Sequence, residues 1–208
     1  MKRLLSAIAF ACCTLAIAAQ GSIRVNYQGK NPTISDFVSA FLAPNADDEE
    51  DGTYDESMNA VRQAWQRYCQ SRPQSEGVTF TVDKKNGYVV YEYRQDGTWL
   101  TKIEICYWNE ADGKHKLFAY NVACYKNGVY SPGQYDGLTF CRYNNASKTM
   151  SYTSEPSVLA VYDACESDTM ASFDLPRTGK DITVTYWKDE RKKQQKTLKW
   201  QGAHFSLQ

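Results

Sequence analysis

From Val78 to Tyr143, apolar and polar positions alternate in short runs that are interrupted by turn pairs. Asn86-Gly87, Asp96-Gly97, Asp112-Gly113, Asn127-Gly128 and Asp136-Gly137 all fall in this stretch. Such pairs favour tight hairpins, because type I′ turns need positive φ, which Gly, Asn and Asp tolerate best. Between them lie runs rich in Tyr, Val, Ile, Phe, Trp and Thr, which suit a pleated, half-buried surface. The pattern predicts a meander of strands at Val78–Asp83, Tyr88–Arg94, Trp99–Trp108, Lys116–Tyr125 and Leu138–Tyr143. In the third, Trp99, Thr101, Ile103, Ile105 and Tyr107 share one face. Lys102 and Glu104 occupy the other face, as in a sheet with one wetted side.

Before the meander the period changes. Ile23, Val25 and Tyr27 alternate as a short strand, and Thr33 then caps a helix with a buried stripe of Ile34, Phe37, Val38 and Phe41. A second helix is expected from Glu56 to Gln70. Met58, Val61, Trp65 and Tyr68 form its apolar face, and Arg62, Gln63, Gln66 and Arg67 look away. Between the helices, Asp47 to Asp51 is an acidic run. It reads as a solvated connector and not a calcium loop, because Met58 stands where such a loop needs a bidentate Glu.

After Tyr143 the signals weaken. Asn144 to Ser157 reads as a polar stretch, Val158–Tyr162 as a strand, and Lys188–Lys196 as a charged loop. Met170–Leu175 and Asp181–Trp187 are further strand runs. Thr197–Trp200 and Ala203–Leu207 form a closing hairpin expected to complete the sheet. The fold class is therefore α+β: two N-terminal helices packed on a curved antiparallel β-meander with a C-terminal hairpin. One domain is expected over residues 20–208, helical over about 33–70 and sheet over about 78–207.

The N-terminus adds a destination. Lys2 and Arg3 precede an apolar run from Leu4 to Ile17, and Ala16, Ala18 and Ala19 supply small residues for cleavage before Gln20. Residues 1–19 thus read as a signal peptide, too short for the ~20 apolar residues of a spanning helix. The expected location is the periplasm or the cell exterior. Of 24 basic and 24 acidic residues, cleavage removes only Lys2 and Arg3, leaving 22 against 24. No basic excess remains to recruit nucleic acid.

Five cysteines follow the leader: Cys69, Cys106, Cys124, Cys141 and Cys165. None forms a Cys-x-x-Cys pair, so a zinc knuckle has no support. If one bridge forms in an oxidising compartment, Cys124 with Cys141, on neighbouring strands, is the favoured pair.

Chemistry-bearing motifs are absent: there is no phosphate loop, dinucleotide Gly motif, nucleophile elbow or zinc-protease helix. His115 and His204 are the two histidines, and Glu92 and Glu104 are nominal carboxylates on the wetted face. No catalytic residue, metal ligand or cofactor is assigned. The aromatic content, 13 % with 15 tyrosines, is more informative. Tyr and Trp favour binding surfaces because they join apolar area to a polar handle. Tyr91, Tyr93, Trp108, Tyr125, Tyr130 and Tyr135 are the candidate ligand-binding residues.

Lys85-Asn86-Gly87-Tyr88, Cys106-Tyr107-Trp108 and Tyr135-Asp136-Gly137-Leu138-Thr139-Phe140, with Leu175-Pro176-Arg177 and Leu198-Lys199-Trp200, form a further pattern. Together they resemble small exported proteins of anaerobic Gram-negative bacteria that have no assigned function. The resemblance implies export and a non-enzymatic role, and it carries no active residues. The functional expectation is a secreted or periplasmic binding protein whose aromatic β surface takes a glycan, a peptide or an envelope partner. The alternatives are an envelope-associated hydrolase with a site assembled only by the fold, and a structural accessory protein.

Overall fold

The computed structural model describes residues 21–43, 56–133, 135–165 and 168–208. The expected signal peptide, the acidic run and part of the turn expected at Glu166–Thr169 lie outside these residues. The described chain is mostly antiparallel β-structure in two sheets, with three short helices.

The larger sheet is curled and has the order β1-β8-β7-β5-β4-β3-β2. These strands are β1 (Ile23–Arg24), β2 (Val78–Asp83), β3 (Tyr88–Gln95), β4 (Trp99–Asn109), β5 (His115–Lys126), β7 (Gly137–Asn144) and β8 (Thr149–Thr153). A two-residue β6 (Val129–Tyr130) folds back on the end of β5. The turns follow the local chemistry: Asp96-Gly97 and Asn127-Gly128 have positive φ at both residues, as a type I′ hairpin requires.

Two helices precede β2. In α1 (Ile34–Phe41), the Thr33 amide and hydroxyl both donate to the Asp36 carboxylate at 2.7 Å, fixing the first turn. The helix inserts Phe37 against Tyr107, Phe118 and Tyr143. Along α2 (Glu56–Cys69), Val61 and Trp65 join the same core, with Val89, Ile103, Ile105, Tyr120 and Val122 from the sheet.

The opposite face of this sheet is not wet. A second, four-stranded sheet of order β12-β11-β10-β9 covers it. Its strands are β9 (Thr169–Asp174), β10 (Ile182–Lys188), β11 (Arg191–Trp200) and β12 (Phe205–Leu207). The C-terminal hairpin therefore belongs to a separate layer and does not complete the meander. Tyr88, Cys106, Trp108, Leu117, Ala119 and Phe140 meet Phe173, Ile182, Val184, Leu198 and Phe205 across the interface. Each such fully buried apolar side chain contributes roughly 1.5–3 kcal/mol. The row Leu117, Ala119, Asn121 and Ala123 on β5 is apolar enough to carry this second contact, and all four are buried.

Three local expectations are corrected. Val158–Tyr162 is helical, within α3 (Pro156–Asp163): Pro156 opens the helix, and the Glu155 side chain accepts the Ser157 amide at 3.5 Å. The polar stretch after Asn144 contains β8, paired with β7. Most of the charged loop is strand β11, because Asp189 and Glu190 both take positive φ and make a two-residue turn without glycine.

The pairing of Cys124 with Cys141 is also corrected. Register places Cys141 opposite Phe118, six positions along β5 from Cys124, and both thiols are free. Six positions are about 20 Å of strand, whereas a disulfide needs Cα atoms within about 7 Å. Burial raises the Cys141 thiol to about 12 and that of Cys106 well above its ordinary range. Brief labelling of native protein with a maleimide is expected to modify exposed Cys69 and leave Cys106 and Cys141 unmodified until denaturant is added. Peptide mass spectrometry reads this directly, and rapid native labelling of Cys141 would contradict the layer assignment.

Candidate functional site

A cleft of about 480 Å³ lies between α2 and the β2–β3–β4 end of the larger sheet. Helical spacing builds its upper wall, where Ala60, Gln63, Ala64 and Arg67 fall on one side of α2. The two alanines matter most, because larger apolar residues there would fill the gap. The lower wall is Tyr91 and Tyr93 on β3, with Val78 and Thr101 opposite Tyr93 on the flanking strands. Tyr91 is buried, and Tyr93 is 36 % exposed.

The segment joining α2 to β2 closes one end. Gln74 donates to the Ala64 carbonyl at 3.1 Å, and the Val78 amide donates to the Ser75 carbonyl at 3.1 Å. Gly77 has φ +74, and a Cβ there would lie 2.8 Å from the Arg94 carbonyl oxygen and 3.2 Å from the Tyr93 ring. Only glycine permits this close approach beneath Tyr93. The buried Gln74 Oε1 accepts no hydrogen bond among the described residues. The cleft thus combines a tyrosine wall with amide, guanidinium and carboxylate groups from Gln63, Gln74, Arg67 and Glu76.

The six expected binding residues do not form one surface. Tyr91 and Tyr93 share the cleft. Trp108 is 4 % exposed, stacks on Trp200 at 5.8 Å and donates to the Lys180 carbonyl between the sheets, so it is core. Tyr130 is buried and packs, with half-buried Tyr125, against Trp187. Tyr135 is 40 % exposed and sits at a separate recess beside Gly137 and Tyr162. Alternation along β3 and β4 could not separate these fates, since only the apolar row on β5 hinted at the second sheet. Gln63 and Arg67 are corrected in the other direction: the helix face read as looking away lines the cleft.

A second polar group lies between the sheets. Glu104, 2 % exposed, accepts from Tyr88 Oη at 2.6 Å and the Leu175 amide at 3.3 Å, and pairs with Lys102 Nζ at 2.9 Å. Lys102 also reaches Asp174 at 2.9 Å, and Asn121 bridges Glu104 to the Phe173 carbonyl. Burial works against the Lys102 charge, but the two carboxylates outweigh it and raise its pKa. An ammonium held this firmly is no nucleophile, so the cluster is a charged bolt between layers. The wetted position expected for Glu104 is thereby corrected.

Glu110, Asp112 and His115 bring ligand-type atoms within 4.8 Å of one another. Arg142 already grips Glu110 through Nε at 2.7 Å and a second nitrogen, and His115 Nδ1 lies 2.6 Å from Asp112. The His115 hydrogen bond, with the Lys114 and His115 amides, holds the Asp112 carboxyl down at about 2. A cation would have to compete with Arg142, and the group is best described as an ion-pair cluster at the β4–β5 turn. No helix among the described residues is long and apolar enough to cross a membrane. No protein-family model, curated protein or solved structure matches this chain, so its functional reading rests on the geometry of the α2–β3 cleft.

Proposed function

We propose that the protein is an exported, non-catalytic binding protein that takes a saccharide in the cleft between α2 and β3. The observation that carries this reading is the union of Tyr93, partly exposed, with Gln63, Arg67, Gln74 and Glu76 around one 480 Å³ space. A sugar ring offers an apolar face for an aromatic side chain and a rim of hydroxyls for amides and charged groups. Pockets that bury small ligands share this pattern of an aromatic wall with a few placed polar groups. The leader-like N-terminus supports action in the periplasm or outside the cell, where envelope glycans are encountered.

The test is a glycan array probed with mature protein beginning at Gln20, followed by calorimetric titration of each hit. Tyr93→Ala is expected to weaken the interaction at least about tenfold, the loss typical of a central aromatic contact, and to leave the melting temperature nearly unchanged. A folded protein that binds no array glycan would overturn the reading. Undiminished binding by the variant would remove the cleft from it.

A further inference from the structure

We infer that the protein pairs with a second copy of itself through strand β2, forming a two-fold dimer with one continuous sheet. β2 is the terminal strand of the larger sheet and, among the described residues, pairs only with β3. The Arg94 amide donates to the Gly77 carbonyl, and Val78 N–H turns away to Ser75. By the alternation of an antiparallel ladder, Thr79 and Thr81 bond to β3, and the N–H and C=O groups of Phe80 and Val82 point off the edge. Among the described residues nothing accepts from or donates to those outward groups.

The edge lacks the usual protection. It contains no Pro, no charge from Val78 to Val82 and no register break against β3. Its sequence, Val78-Thr79-Phe80-Thr81-Val82, reads the same in both directions. Antiparallel pairing centred on Phe80 therefore sets Phe80 against Phe80, Val78 against Val82 and Thr79 against Thr81. A two-fold contact demands such self-complementarity, with each residue meeting its counterpart reciprocally. Glu76 and Lys84 are exposed in the turns at the two ends of β2, so the two-fold pairing brings the Glu76 turn of each chain beside the Lys84 turn of the other, with opposite charges at both ends of the contact. This complementarity selects a second copy over an unrelated extended peptide.

The experiment is sedimentation equilibrium of the mature protein over a wide concentration range, with hydrogen exchange on the same samples. The expected result is a monomer–dimer equilibrium in which the Phe80 and Val82 amides gain protection at high concentration and the Thr81 amide does not change. Lys84→Glu is expected to weaken dimerisation by about tenfold, and the swap Lys84→Glu/Glu76→Lys to restore it. Thr79→Lys/Thr81→Lys, which sets lysines against one another at exposed Thr79 and half-buried Thr81, abolishes it. A monomer at every concentration overturns the inference, as does a dimer indifferent to all three variants. An edge that captures a foreign extended peptide while the chain stays monomeric overturns it as well.

Discussion

Lys102→Met is expected to lower the free energy of unfolding by about 3–5 kcal/mol, because it strands Glu104 as an uncompensated charge between two sheets. The hydrogen bonds from Tyr88, Asn121 and the Leu175 amide remain, but none carries a positive charge. Urea denaturation of the variant and of Lys102→Met/Glu104→Gln forms the decisive comparison. The double variant should recover much of the loss, since the neutral amide can still accept from Tyr88 without needing a cation. A single variant within about 0.5 kcal/mol of wild type would show that Glu104 is not confined as described. The same cluster sets an alkaline limit. Lys102 is raised because Glu104 and Asp174 outweigh its burial, and Tyr88 is raised by burial and by Glu104. Groups whose folded pKa lies above the unfolded value contribute stability that is complete below the unfolded pKa, about 10–10.4 here. That stability is lost as pH rises toward the folded values, so the urea midpoint should hold through neutral pH and fall above about 10.

Phe37→Ala is expected to cost about 3–5 kcal/mol through a cavity between α1 and the sheet. The ring is fully buried, with centroids 5.1 Å from both Tyr107 and Tyr143 and 6.1 Å from Phe118. At eight residues α1 is too short to hold its conformation alone, so its order depends on this insertion. Thermal melting reads the global cost. Hydrogen exchange should show the α1 amides losing protection before those of β4 and β5. A shift of less than about 1 kcal/mol would mean that the helix docks by other contacts.

The sequence made the first two-thirds of this fold legible and left its last layer obscure. Turn chemistry at Asn86-Gly87, Asp96-Gly97 and Asn127-Gly128 sets the hairpins whatever lies above them, so β2 to β5 emerge close to their observed limits. The second sheet was hidden for a physical reason: Lys102 and Glu104 look solvent-facing in a linear pattern, yet they neutralise each other inside an interface. Ala119, Asn121 and Ala123 on the next strand were the available sign that this face is covered. Tyr91 and Tyr93, which line the cleft, were legible as candidates because they are aromatic on a strand. Gln63 and Arg67 were not, because a polar helix face reads the same whether it meets bulk water or a cleft.

Among the described residues, three large aromatic side chains are substantially exposed, namely Tyr93, Trp99 and Tyr135, and of these only Tyr93 lines the α2–β3 cleft. The most direct test of the account is the affinity of a bound saccharide measured against Tyr93→Ala, Trp99→Ala and Tyr135→Ala in parallel. The account predicts that Tyr93→Ala alone weakens binding by about tenfold or more and that the other two match wild type. Loss of binding in Trp99→Ala or Tyr135→Ala, with Tyr93→Ala unaffected, would place the ligand elsewhere and contradict it.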